Sequence, residues 1–172
     1  TLISGRSAFD RYVYDDDRAA FSEGAQRGMR LFYSDRTGCS HCHFGLNFSG
    51  PMVHRGKARQ RALFANNGSA VKGDEGLSAE TKQQQDRGRF RVPTLRNIAL
   101  TAPYMHDGRF ATLKDVIEHY VAGGRHAESI GVVDSQIRPL ELSADEKRDL
   151  VEFLKNLTDQ QFVSSRTCDR GL

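Results

Sequence analysis

Cys39-Ser40-His41-Cys42-His43 reads C-x-x-C-H, the pattern that fastens a c-type haem to a polypeptide. The spacing suits the chemistry. Two thiols add to the vinyl groups on one porphyrin edge, and the adjacent histidine lies beneath the iron as its proximal ligand. Covalent attachment through Cys39 and Cys42, with His43 on the iron, is the first expectation. Other uses of these residues are weaker. A closed zinc site needs four ligands at suitable spacing, and the sequence offers no second Cys/His pair nearby. A redox C-x-x-C wants a βαβ pattern around it, which is not visible. A structural disulfide is the third alternative. If the haem takes two cysteines, Cys168 is left over as a free thiol or a partner for another chain.

His43 leaves one axial position on the iron. Met52, Met105, His106, His119, Tyr120 and His126 are the downstream candidates. Met105 has the sequence separation of a His/Met electron-transfer cytochrome, an arrangement that gives a high potential. Tyr120 falls in the middle of an apolar helical stripe and by that pattern alone reads as a core tyrosine. Its hydroxyl then needs a partner, either iron or a backbone carbonyl. His119 points about 100° away from it around the helix. His54 reads as a solvated loop histidine, and Asp15-Asp16-Asp17 as a solvated loop rather than a metal site.

Helices must position these groups. A short one is expected around Ala8–Tyr14. Ser22 caps another running to about Tyr33, with Ala25, Gly28, Met29, Phe32 and Tyr33 on one apolar face. A helical glycine costs about 1 kcal/mol relative to alanine, so Gly28 on that stripe implies a second helix crossing closely. Residues 44–91 are the least regular part, rich in Gly, Asn, Gln and charge as in Asn66-Asn67-Gly68, and a loop this long is expected to wrap the haem edge. Thr112 with Asp115 caps a helix whose apolar face is Leu113, Val116, Ile117, Tyr120 and Val121, stopped by Gly123-Gly124. Residues 125–142 read as a second loop. Ser143 with Glu146 caps the last helix, with Leu150, Val151, Phe153, Leu154 and Leu157 on one face. No pattern is visible after Thr158.

The fold class expected is all-α, a cytochrome c-like domain with long irregular loops. The boundaries are an N-terminal segment 1–21, a haem domain 22–158 and a tail 159–172. Composition is that of an ordinary globular domain, with 38% hydrophobic and 27% charged residues. A net charge of +3 without a Lys/Arg-rich run argues against nucleic acid and permits an acidic redox partner. No run approaches the roughly 18 apolar residues of a membrane span. No signal peptide is visible and the chain begins at Thr1, as expected of a processed or excised chain. Bacteria attach haem covalently outside the cytoplasmic membrane, so the motif points to the periplasm.

The run FRVPTLRNIALTAPYMHDGRFATL over residues 90–113 resembles the second haem domain of bacterial di-haem cytochrome c peroxidases and their MauG-like relatives. Ser7-Ala8-Phe9-Asp10-Arg11-Tyr12, Gly28 with Leu31-Phe32, and Cys39 to Gly45 agree with that domain too, so the resemblance covers nearly the whole chain. It implies His43/Tyr120 ligation, because the MauG-like branch has a tyrosine where the peroxidase branch has a methionine; Met105 is the alternative. It implies that the Tyr-ligated haem stores one oxidising equivalent and that residues of a partner protein are oxidised by long-range electron transfer. It also implies calcium between two haem domains, with backbone carbonyls of Thr101 and Pro103 as half of the site. Pro93 and Arg96 are expected near the proximal histidine and a haem propionate. Thr1-Leu2-Ile3-Ser4-Gly5 resembles the end of an interdomain helix. One departure stands out. The family has two C-x-x-C-H motifs and this sequence has one, so the peroxide-binding first domain is absent from it. A separated half, a cleaved chain and a mono-haem electron carrier without catalysis all fit that departure.

Overall fold

Three short Ser/Thr-x-x-Asp/Glu sequences set the frame. In the computed structural model, which describes residues 4–51, 62–124 and 129–167, each closes a reciprocal capping box: Ser7 with Asp10, Thr112 with Asp115, and Ser143 with Glu146. Each box satisfies backbone N–H groups that a helix start otherwise leaves unpaired. Met52, His54, His126 and Cys168 lie outside the described residues.

In chain order the helices are α1 (Ala8–Tyr14), α2 (Glu23–Phe32), α3 (Cys39–Cys42), α4 (Ser78–Thr81), α5 (Leu113–Val121), α6 (Ala144–Lys155) and α7 (Gln160–Thr167). Two-residue strands β1 (Phe64–Ala65) and β2 (Phe90–Arg91) pair antiparallel, Phe64 opposite Arg91, and close the stretch 66–89 at its base. The fold is all-α with long irregular connections. No described helix is long and apolar enough to cross a membrane.

Helices α2 and α6 cross at Gly28. A Cβ there would lie 2.0 Å from the Asp149 carbonyl oxygen and 2.9 Å from Phe153 Cβ, so the close approach expected from the sequence is real. Arg27 fastens the crossing with a two-pronged hydrogen bond to Asp149, at 2.7 and 2.9 Å. Around it, Phe9, Phe21, Phe32, Phe48 and Phe153 form an aromatic core. Their ring centroids are 4.9 to 6.4 Å apart, mostly edge to face, the arrangement that the ring quadrupoles favour. Phe9 and Phe21 come from residues 1–21, so that segment is part of the core.

Two expectations are corrected. Tyr33 is not on the buried face: α2 ends at Phe32, and Tyr33 caps it with 48% of its surface exposed. The stretch after Thr158 is not patternless coil but carries α7. It has no apolar stripe to announce it. Its start is fixed instead by Asp159, whose carboxylate accepts from Phe162 N–H at 2.9 Å and from the N–H groups of Gly5 and Arg6 at 3.0 Å. Burial alone would raise the Asp159 pKa, but these bonds outweigh it and hold the carboxyl below its usual range. The acidic run near the N-terminus is structural: Asp16 pairs with Arg18, and Asp17 caps the 3-10 turn Arg18–Ala20 while pairing with Arg11.

Candidate haem-binding site

Gly38, at φ 65°, turns the chain into the single turn of α3, which carries Cys39 and Cys42. His43 ends that turn. Its Nδ1 is 2.8 Å from the Phe48 carbonyl oxygen. A carbonyl only accepts, so Nδ1 carries the proton and Nε2 keeps its lone pair for a metal. Burial depresses the His43 pKa, and hydrogen bonds to the Phe48 and Pro93 backbone act the other way. The result is the neutral imidazole that a metal ligand must be. Both thiols are pushed up by burial, Cys42 further by the Asp134 charge.

The turn that presents the Phe48 carbonyl is held from behind. Phe48 itself sits at φ 52°, a strained conformation for a phenylalanine that its surroundings must enforce. Thr94 Oγ1 donates to Asn47 O at 2.6 Å, and Arg96 Nε donates to Leu46 O at 2.7 Å. The remaining Arg96 nitrogens donate to both Asp10 oxygens at 2.8 and 2.9 Å, and both side chains are 4% exposed. Arg96 thereby braces the turn behind His43. A buried guanidinium needs a counter-charge, Asp10 supplies it, and Arg96 is not among the residues that line the cavity described next. Pro93 does line it.

Cys39, Cys42 and His43 open onto a cavity of about 390 Å³. That is within the size range of cofactor pockets. Leu113 and Ile117 of α5 and Leu150 and Leu154 of α6 give it an apolar wall. Tyr120 and Met105 line the same cavity, so the two rival axial ligands are neighbours in space. Met105 is held at φ 72°, again unusual for a residue with a side chain. Two of the histidine candidates, His119 and His106, have other partners. His119 Nε2 is 2.9 Å from the Asn67 carbonyl, while His106 stacks on Phe90 with centroids 3.7 Å apart and places Nε2 2.7 Å from Asp74. Thr101 and Pro103 are exposed and border the cavity.

What the sequence reading missed is the Asn66-Asn67-Gly68 turn as part of the site. Asn66 is fully buried and ties its turn to the stretch 130–134: its amide donates to Ile130 O at 2.9 Å, and its N–H to Asp134 at 2.7 Å. Gly68 and Gly124 pack backbone against backbone; a Cβ on Gly68 would lie 1.5 Å from Gly124 O. The turn is thereby docked on the end of α5, and Asn67 Nδ2 comes within 3.2 Å of Tyr120 Oη and 3.3 Å of Met105 Sδ. Burial pushes the Tyr120 hydroxyl pKa up, and the Asn67 bond opposes that. Among the described residues, no group of three or more His, Cys, Asp or Glu side chains is placed to hold a metal ion.

An all-α fold around a C-x-x-C-H turn that faces one apolar cavity defines a cytochrome c-type haem domain. No family model matches the sequence. The chain is 34% identical to methylamine utilization protein MauG of Methylorubrum extorquens, over 91% of this chain and 40% of that protein. It is also 34% identical to cytochrome-c peroxidase IdrP1 of Pseudomonas sp., over 92% of this chain and 46% of that one. The crystal structure of a MauG-like protein associated with microbial copper homeostasis superposes with a TM-score of 0.84 at 34% identity, covering 94% of this chain and 54% of the other. The chain belongs to the family of MauG-like proteins and di-haem cytochrome c peroxidases, and spans less than half the length of the two curated relatives named.

Proposed function

We propose that this chain is the electron-transferring, oxidising-equivalent-storing haem domain of a periplasmic, MauG-like peroxidase-type oxidoreductase, working beside a peroxide-binding haem on a second domain or chain. The observation that carries this reading is the convergence of Cys39, Cys42, His43 and Tyr120 on one apolar cavity. When bound, haem c supplies one-electron redox chemistry, tuned by its axial ligands and surroundings. The chain's residues do the rest. Cys39 and Cys42 carry the group. The Phe48 carbonyl fixes the tautomer and ring plane of His43. Tyr120 would hold the iron through a deprotonated Oη, an anionic donor of the kind that favours ferric iron and a low potential, and the α5 and α6 side chains give the cavity an apolar wall. Thr101 and Pro103 would offer carbonyls toward a calcium ion shared with the partner domain, and the ultimate electron source would be a partner protein.

A mono-haem electron carrier is the second reading. It is favoured by Met105 Sδ lying beside the same Asn67 amide as Tyr120 Oη. Two measurements test both. The protein isolated from a host that matures c-type cytochromes should retain haem stain on a denaturing gel, and the Cys39→Ser/Cys42→Ser variant should lose it. An unstained wild type ends the haem account. Tyr120→Phe should change the ferric spectrum and raise the reduction potential. If that spectrum is unaltered and a sulfur-to-iron charge-transfer band is present, Met105 is the ligand and the second reading holds.

A further inference from the structure

Asn67 lies in a turn, yet its side chain is held as firmly as a core residue. Its Oδ1 accepts from Ser69 N–H at 3.2 Å and from Ser69 Oγ at 2.6 Å. A backbone N–H can only donate, so the atom facing it must be the amide oxygen. The amide therefore cannot flip, and its NH2 group is aimed at Tyr120 and Met105. Ser69 is 1% exposed, and its Oγ is in turn 3.3 Å from His106 Nδ1. The Asn67 backbone is fixed as well, by His119 Nε2 at its carbonyl and by the Gly68–Gly124 contact. The NH2 group has two hydrogens, and two acceptors of different chemistry are within reach: a tyrosine oxygen at 3.2 Å and a thioether sulfur at 3.3 Å.

We infer that Asn67 is the positioning residue of the distal side: its fixed amide donates to Tyr120 Oη, sets how strongly that oxygen donates to iron, and holds the Met105 thioether aside. This rests on the reading of Tyr120 as a ligand. A hydrogen bond to an anionic oxygen is stronger than one to a neutral acceptor, and a thioether is a weak acceptor, so the amide favours Tyr120 as its main partner. The bond is strongest when the oxygen is most negative, which is when the iron is ferrous and withdraws least charge. Donation by Asn67 therefore stabilises the ferrous state and raises the potential above that of an unassisted tyrosine ligand. Ser69 acts one step further out, by holding the amide in that orientation.

The test uses haem-loaded protein. Asn67→Asp keeps the shape and the acceptor for Ser69 but has no donor, and Asn67→Leu removes donor and charge together. Both should shift the tyrosine-to-iron charge-transfer band to longer wavelength. The ferric-to-ferrous ratio at a fixed potential should rise about tenfold, a fall of about 59 mV for one electron. Ser69→Ala should give the same signs with smaller size. Neither Asn67 variant should move the potential further in a Tyr120→Phe background, where a merely structural role would still be felt. An altered Tyr120→Phe spectrum with band and potential unmoved in both Asn67 variants overturns the inference and leaves the Tyr120 reading standing. An unaltered Tyr120→Phe spectrum removes both.

Discussion

Asp10→Ala is expected to destabilise the protein by about 3–5 kcal/mol, the cost of leaving a buried charge without its partner. Arg96 and Asp10 are each 4% exposed and joined by two hydrogen bonds, so the guanidinium has no solvent to fall back on. Asp10 also accepts from Ser7 N–H and from Ser7 Oγ, and the variant loses that capping box as well. For a chain of this length the expected fall in Tm is on the order of 10 °C, read by thermal unfolding followed by far-UV circular dichroism. The double variant Asp10→Leu/Arg96→Met should recover at least half of the loss, because the penalty is for an unpaired charge rather than for the absence of a pair. A single variant as stable as the wild type would show that water reaches the pair.

The same pair has a pH signature. Burial alone would raise the Asp10 pKa, but the hydrogen bonds from Arg96 and Ser7 and the Arg96 charge outweigh it and hold the carboxyl below the usual range. A depressed folded-state pKa means that the unfolded chain binds the proton first as acid is added. The contribution is therefore full above the ordinary carboxylate range and is lost as pH falls through the lowered value. Asp10→Ala should flatten that part of the stability curve.

Gly28→Ala is the second large effect. Two terms oppose each other. Alanine gains about 1 kcal/mol of helix propensity over glycine. Against this, its Cβ would lie 2.0 Å from the Asp149 carbonyl oxygen and 2.5 Å from the carbonyl carbon, which are backbone atoms that no rotamer change can move. Overpacking typically costs about 1–3 kcal/mol, occasionally more, and a contact this short belongs at the top of that range. The net expectation is a loss of about 2 kcal/mol, seen as a Tm lower by about 4–8 °C. Helix α6 would have to move outward, taking Leu150 and Leu154 of the cavity wall with it, so the haem spectrum should change as well. A stabilised variant would mean that the helices cross farther apart than described.

Local chemistry made much of this legible from the sequence. The C-x-x-C-H turn, the caps at Ser22, Thr112 and Ser143, and the crossing at Gly28 all depend on residues within a few positions of one another or on one periodic stripe. The Ser7 capping box is equally local but stands before a helix too short to carry a clear apolar stripe, so the sequence pattern alone does not mark it. Helix α7 stayed hidden for the same reason. The rest was illegible for a different cause. Arg96 finds Asp10 from 86 positions away, and Asn67 meets Tyr120 from 53. Nothing in a turn signature such as Asn66-Asn67-Gly68 tells which distant side chain it will face. That Gly68 and Gly124 touch backbone to backbone is likewise a fact of tertiary packing, although two glycines at a helix end invited the question.

The carboxylate of Asp159 gathers donors from both extremities of the described chain, Gly5 and Arg6 on one side and Phe162 on the other. Neither extremity can then fray alone. Opening the first few residues strips α7 of half its anchor, and unwinding α7 leaves two amides at the entrance to α1 facing nothing but solvent. Residues 5–6 and α7, far apart in sequence, therefore melt as a single cooperative unit, and α7, which has no apolar stripe of its own, borrows its persistence from the entrance to α1.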